Sequence, residues 1–315
     1  MSFSSETKNE LSRTYPTKNC CKLAEIAGFL RTAGSIGLAG GGKFNIALKT
    51  ENPAVARHYK KLLKDYFDVD SRLDVEEGAA INKGYFYKLV IGPEMRSDQI
   101  LRETGILMVR QGNNFISDGI YQGIIRSKCC KKAYLKGMFL GAGTMANPDK
   151  SYQMEWPLSS RTLAEDLLKL INSFVDMDAK MVKRKSQYVV YVKSYGYIRD
   201  LMTMMGAHTM VLELENIKIK KELRGEAVRL TNCDTANMDR VIGASGKQIE
   251  AIKFLDGAVG LNKLPEKLRE IAILRLEHPE ASLLQLGEML TPPLKKSGVN
   301  NRMKKLMNMY EKGQK

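Results

Sequence analysis

A chain of 315 residues that is 43% hydrophobic can fill the cores of two or three domains. Its formal charge of +15 suits a polyanionic partner, nucleic acid before an anionic membrane surface. No apolar run approaches the roughly 20 residues that a bilayer span requires, and the polar start MSFSSETKNELSR has no apolar signal segment, so the expectation is a cytoplasmic protein with no membrane partner.

The first residues read as a helix with Ser4 or Ser5 as its cap and acids in its first turn. Residues 20–34, CCKLAEIAGFLRTAG, follow as a second helix, and a similar phrase, CCKKAYLKGMFLGAG, stands at residues 129–143. At an offset of 109, seven of the 15 positions are identical: Cys20/Cys129, Cys21/Cys130, Lys22/Lys131, Ala24/Ala133, Gly28/Gly137, Ala33/Ala142 and Gly34/Gly143. Such a repeat precedes any motif in importance, because it sets the architecture.

The segments after the two copies are alike in kind. SIGLAGGGKFNIALKT gives two strand-like pieces around a glycine turn, residues 53–67 a helix opened by Pro53, VDSRLDV and GYFYKLVIG two strands, and EMRSDQILRETGI a helix. After the second copy, MANPDKSYQMEWPL gives strand-like pieces, residues 161–175 a helix, AKMVKRKSQYVVYVKS two strands, and YIRDLMTMMGA a helix. The pattern predicts a duplicated α+β unit with a pseudo-two-fold axis. Ala24, Gly28, Ala133 and Gly137 then belong to two interface helices whose small residues let the backbones approach.

Two further motifs have plainer readings. Residues 37–44, GLAGGGKF, approach the phosphate-binding G-x-x-x-x-G-K-[ST], but Phe44 stands where a hydroxyl must hold Mg²⁺ and a strand follows instead of a helix. A hairpin turn with glycines at positive φ accounts for it. Residues 241–249, VIGASGKQI, resemble the GXXG clamp of KH modules, which hold single-stranded nucleic acid. The alternative is one helix from about 236 to 254 with Met238, Val241, Ile242, Ile249 and Ile252 inward, at the cost of its glycines.

Beyond residue 222 the repeat pattern stops and helices take over. Residues 265–276 are amphipathic and end at His278-Pro279; Ser282 caps 283–290; Thr291-Pro292-Pro293 breaks the chain; Ser297 caps a last helix. Helix, breaker, basic helix is a helix-turn-helix order. In the last helix Val299, Met303, Leu306 and Tyr310 share one side, suiting a core. From Lys295 onward there are seven Lys+Arg and one acid. The candidate DNA-binding residues are Ser282, Gln285, Lys295, Lys296, Ser297, Asn300, Asn301, Arg302, Lys304 and Lys305, with Asn suited to adenine, Arg to guanine, and Lys to phosphate. Net charge is +5 over residues 228–315, from 15 Lys+Arg and 10 Asp+Glu, leaving +10 for the rest, so both parts suit a phosphate backbone.

Five cysteines argue against a full disulfide set; the adjacent pairs lack C-x-x-C spacing and Cys233 stands alone. They read as small buried hydrophobes in a reducing compartment. His58, His208 and His278 are scattered, so no metal site and no cofactor is expected.

The helical repeats IAGFLRTAG (26–34) and LKGMFLGAG (135–143) resemble the LAGLIDADG motif of homing endonucleases. The resemblance implies two interface helices, two four-stranded sheets forming a saddle over DNA, and an acid near each motif's end that holds the strand-cutting metals. Here the acid positions are Ala33 and Ala142, and the neighbours Gly34, Ser35, Gly141 and Thr144 carry no charge. Hard cations need carboxylate oxygens beside the scissile phosphate, so no catalytic residue is expected. Together with SFSSETKNEL, NCDTANMDR (232–240) and LGEML…PPLKKSGVNNRMKKL (286–306), the chain is similar throughout to the WhiA regulators of Gram-positive bacteria. That resemblance implies a first saddle repeat at 1–110, a second at 111–222 and an all-α helix-turn-helix domain at 223–315. It implies a nucleoid-associated, non-enzymatic DNA binder acting on transcription in cell division, chromosome segregation or sporulation. Its partners would be promoter duplex DNA with another transcription factor or RNA polymerase. An active metal-dependent endonuclease, and an RNA binder using residues 243–247, stand as alternatives.

Overall fold

The computed structural model describes residues 2–77 and 84–314. The chain divides into two compact units, Met1–Lys221 and Glu222–Lys315.

In the first unit, α1 (Phe3–Leu11) is capped by Ser2, whose hydroxyl accepts from the Ser5 N–H at 3.2 Å, so the cap lies ahead of Ser4 and Ser5. The first repeat then runs α2 (Asn19–Ala33), β1 (Gly34–Leu38), β2 (Phe44–Thr50), α3 (Pro53–Phe67), β3 (Arg72–Glu77), β4 (Tyr85–Ile91) and α4 (Ser97–Glu103). The helix expected over residues 94–106 is shorter than its sequence pattern, because Arg96 takes a left-handed φ of 59° and separates a single tight turn from α4. A hairpin that periodicity did not announce, β5 (Leu107–Arg110) with β6 (Asn113–Ile116), leads into the second repeat. That repeat runs α5 (Lys128–Ala142), β7 (Thr144–Met145), β8 (Met154–Leu158), α6 (Arg161–Asn172), β9 (Lys180–Arg184), β10 (Gln187–Val192) and α7 (Tyr195–Met205).

The duplication is literal in the topology. The sheets are ordered β1-β2-β4-β3 and β7-β8-β10-β9, all antiparallel, and α2 and α5 begin and end 109 residues apart. Alternation decides the faces. Ile46 and Leu48 pair with Ile91 and Leu89 on the core side of the first sheet, and Trp156 and Met154 with Val190 and Val192 on that of the second. Asn45, Lys49, Lys88 and Arg72 occupy the open face of one sheet, and Lys180, Arg184, Gln187 and Tyr191 that of the other.

At the centre α2 packs along α5. A Cβ on Gly28 would fall on the Tyr134 carbonyl, and one on Gly137 on the Glu25 carbonyl, so the helices touch backbone to backbone at these two positions. Ala24 and Ala133 are buried beside them. The repeat thus persists because only small residues permit this separation.

The near-phosphate-loop at residues 37–44 is a hairpin turn: Gly40, Gly41 and Gly42 take φ of 84°, 55° and 74° between β1 and β2. A left-handed run of this kind favours glycine three times over.

α8 (His208–Ala258) begins in the first unit and ends in the second. It continues without a break through Gly243 and Gly246, so the KH-like segment is helix and not a clamp loop. Its expected inward face is corrected in part: Ile252 is buried and Ile249 half-buried, but Met238 and Ile242 are exposed; the Val241 side chain lies outside the described set. The second unit continues with α9 (Glu266–Glu277), α10 (Leu283–Glu288) and α11 (Lys296–Gly313). Ile252, Leu255, Leu268, Ile271, Leu286, Val299, Met303 and Leu306 form its core. A Cβ on Gly287 would meet the Leu294 carbonyl, whose own N–H donates to Gly287 O at 2.9 Å; this close return lets α11 pack on α10 across a short turn.

Candidate nucleic-acid interface

Two places on the chain could meet nucleic acid. In the first unit, α2 and α5 end at Ala33 and Ala142, the positions where the motif resemblance implies acids. Beside the end of α5 lies a cleft of 830 Å³ lined by Gly141, Ala142, Thr144, Lys8, Glu51 and others. Its carboxylate is Glu51, and it faces Lys8, whose ammonium burial holds down to about 8 against Glu51's opposing pull. One carboxylate facing an ammonium is not a hard-cation site, which needs several oxygens and no competing positive charge. These residues do not fit the catalytic metals of the nuclease fold.

The open sheet faces carry cations that are already paired. Lys49 and Lys88 lie 3.7 and 3.3 Å from Glu76, Arg72 lies 3.0 Å from Asp74, and Arg184 lies 3.1 Å from Glu155. Such exposed pairs add little stability. Their effect on a phosphate backbone is larger, since each carboxylate repels what its partner attracts.

In the second unit the geometry is different. α10 opens with a capping box: Ser282 Oγ accepts from the Gln285 N–H at 3.3 Å, and the Gln285 side-chain oxygen accepts from the Ser282 N–H at 2.8 Å. The Ser282 hydroxyl and the Gln285 carbonyl oxygen are therefore occupied in holding the helix start. The last helix begins one residue earlier than its expected cap. Lys295 stands at the N-cap with no side-chain bond, and Ser297 is the second helical residue, exposed. Among the described residues no side chain caps the first-turn N–H groups there, and they point their dipole outward.

The core stripe Val299, Met303, Leu306 and Tyr310 packs inward as its spacing requires, Tyr310 at an edge, where its ring meets Phe254. Two residues out of phase, Ser297, Asn301, Lys304 and Asn308 form a second stripe of the same spacing on the opposite face, all exposed, with Lys305 and Lys312 flanking it. Lys295 and Lys296 are exposed at its head, and Asn300 is half-buried at its edge. Asn308 and Lys312 were not singled out by sequence; the i, i+4, i+7, i+11 rule applied to polar residues would have found them. Arg302 departs from its expected place. Its guanidinium donates to the Lys267 carbonyl at 3.2 Å and pairs with Glu270 at 3.3 Å, leaving the side chain 19% exposed. It lies more than a third of a turn from the centre of the exposed stripe and ties α11 to α9.

Sequence reasoning also missed a buried polar centre. His58, fully buried, meets Glu25 at 2.6 Å through Nε2 and donates from Nδ1 to the Ser12 carbonyl at 2.9 Å. His58 is thus not isolated; its partner lies 33 positions earlier, on α2.

Comparison with known proteins agrees with this architecture. Residues 19–107 match the WhiA N-terminal LAGLIDADG-like domain, residues 131–224 the WhiA LAGLIDADG-like domain, and residues 227–310 the WhiA C-terminal HTH domain. The probable cell division protein WhiA of Alkaliphilus metalliredigens is 43% identical over 306 residues, covering 97% of this chain and 96% of that one. Its counterpart from Clostridium perfringens strain 13 is 42% identical over 311 residues, covering 99% and 98%. The crystal structure of full-length WhiA from Thermatoga maritima shares the fold with a TM-score of 0.59 at 23% identity, covering 99% of both chains. No described helix is long and apolar enough to cross a membrane. With a doubled LAGLIDADG-like scaffold, a helix-turn-helix unit and full-length relatives above two-fifths identity, the chain belongs to the WhiA family.

Proposed function

We propose that this protein is a non-catalytic, sequence-specific DNA binder that regulates transcription, with promoter duplex DNA as its partner. The relatives' name, probable cell division protein, points to cell-division genes as targets, and the family resemblance adds chromosome segregation and sporulation. The observation that carries the reading is the two-sided α11: one stripe is locked in a core, and the opposite stripe offers Ser297, Asn301, Lys304 and Asn308 to the outside. A helix of this kind fits the major groove, where Asn pairs with adenine edges and Lys meets phosphate. Lys295, Lys296, Lys304 and Lys305 would neutralise phosphates, and the bare helix start would receive one more. Arg302 would position the reading helix through Glu270 instead of touching a base. Ser282 and Gln285 would set the angle of α10, with the Gln285 amide NH₂ free of the capping box.

The saddle has a lesser part in DNA affinity, because its open-face cations have carboxylate partners. That leaves it suited to a protein partner, such as another transcription factor or RNA polymerase, at the nucleoid. Genome-wide mapping of bound sites, and then binding of the purified chain to the recovered sequences, tests this reading. A bound set no different from random DNA would overturn it. Pure protein incubated with supercoiled plasmid and Mg²⁺ is expected to leave the plasmid intact; nicking would restore the endonuclease reading.

A further inference from the structure

The two cysteine pairs were unremarkable as sequence and are not so in space. Cys20 and Cys21 stand in the first turn of α2, Cys129 and Cys130 in the first turn of α5. Because Gly28 and Gly137 draw these helices together and the repeat keeps them in register, both pairs arrive at the same end of the interface. The four Sγ atoms all lie within 4.8 Å of one another. Cys21 and Cys130 are buried, Cys129 is partly so, and Cys20 is exposed, so the reading of all as buried hydrophobes fails.

We propose that Cys20, Cys21, Cys129 and Cys130 form a tetrathiolate site for one soft divalent cation, zinc first, that staples the two repeats together. Zinc–sulfur bonds of about 2.3 Å put the corners of a tetrahedron about 3.8 Å apart. The four sulfurs need only a small adjustment of side-chain torsions to reach that size. An iron–sulfur cluster would hold its thiolates farther apart, around its own core of iron and sulfide.

The surroundings favour thiolates. Both pairs sit at helix N-termini, where backbone dipoles stabilise negative charge. Ser127 Oγ lies 3.1 Å from Cys129 Sγ, and with Lys18 and the neighbouring thiols it draws the Cys129 thiol down to about 7. Cys21 is pushed the other way, by burial first and then by its neighbouring sulfurs. On binding, Zn²⁺ takes four thiolates, the protons of the four thiols leave, and the site carries a net charge of −2. Lys18 and Lys132 line the adjoining 440 Å³ cleft with Cys21 and Cys129 and offset part of that charge; Lys136, in the same cleft, is already paired with Glu25.

The test uses the full-length chain, purified with reductant, stripped with chelator and titrated with Co²⁺ and then Zn²⁺. One equivalent of cobalt is expected to give an intense near-ultraviolet thiolate-to-cobalt band with tetrahedral visible bands. One equivalent of zinc should bleach both and raise Tm. The double variant C20S/C129S, changed at the two more accessible positions, should fold as the metal-free parent does and lose the cobalt bands. Absence of those bands in the parent, or their survival in the double variant, would overturn the site. So would a mass spectrum showing a disulfide between α2 and α5 that persists in reductant.

Discussion

Glu25 of the first repeat and Lys136 of the second meet at 3.0 Å in the middle of the fold, both nearly inaccessible to water. The pair is not alone. His58 meets the same carboxylate oxygen at 2.6 Å, and Lys136 also donates to the Thr14 carbonyl at 2.7 Å. Four parts of the chain are tied at one carboxylate: α2, α3, α5 and the turn after α1. Burial lowers the Lys136 pKa and Glu25 opposes that shift, so the ammonium is kept only while its partner stays. Breaking such a pair on one side leaves a desolvated charge. Lys136→Met is therefore expected to destabilise the protein by about 3–5 kcal/mol, read by denaturant unfolding. A change under about 1 kcal/mol would mean that His58 alone satisfies Glu25.

Gly28 and Gly137 make a related prediction. Each faces a backbone carbonyl of the other helix with no room for a methyl group. Gly28→Ala should cost about 1–3 kcal/mol from overpacking, although alanine is the better helix former. An unchanged or higher Tm would show that the helices can part without loss.

On α11 the exposed and bound residues should separate by their signatures. Asn301→Ala should lower affinity for the recovered sites by about 1–3 kcal/mol while sparing random DNA. Lys304→Ala should weaken both kinds of DNA and reduce the salt slope by about one. Arg302→Ala should lower the thermal stability of the second unit through the loss of its ties to Glu270 and Lys267. If Arg302→Ala instead relaxed sequence preference at full stability, the residue would leave Glu270 to read a base.

Lys8 provides a pH test. Its pKa is about 8 in the folded chain against an ordinary 10.5. Between these values the unfolded chain binds more protons, so stability contributed here is lowest below about 8 and rises as pH climbs toward 10.5. Lys8→Met should flatten that rise and raise stability at neutral pH. An identical pH profile for variant and parent, by chemical denaturation, would place the ammonium in water.

Much of this architecture was readable in the residues. The 109-residue repeat announced two copies of one unit, since a helix that must expose backbone to its twin keeps glycine in the same register. The breaker Thr291-Pro292-Pro293 and the period of Val299, Met303 and Leu306 announced the last helix and its buried side, because local propensity and apolar periodicity are properties of neighbours in the chain. That Ala33 and Ala142 cannot themselves ligate a cation was equally plain, a methyl group having no lone pair to offer.

Other features depend on distances between residues remote in sequence, and only the folded chain decided them. Arg302 looked free until α9 brought Glu270 beside it. Glu25, His58 and Lys136 lie far apart in the chain and met only when three helices enclosed them. The cysteine pairs, a hundred residues apart, lacked every familiar metal spacing, and the pseudo-two-fold axis set their sulfurs side by side. Sequence patterns record what a residue needs from its own helix or strand; which groups share a charge or a cation is set by packing across the repeat axis.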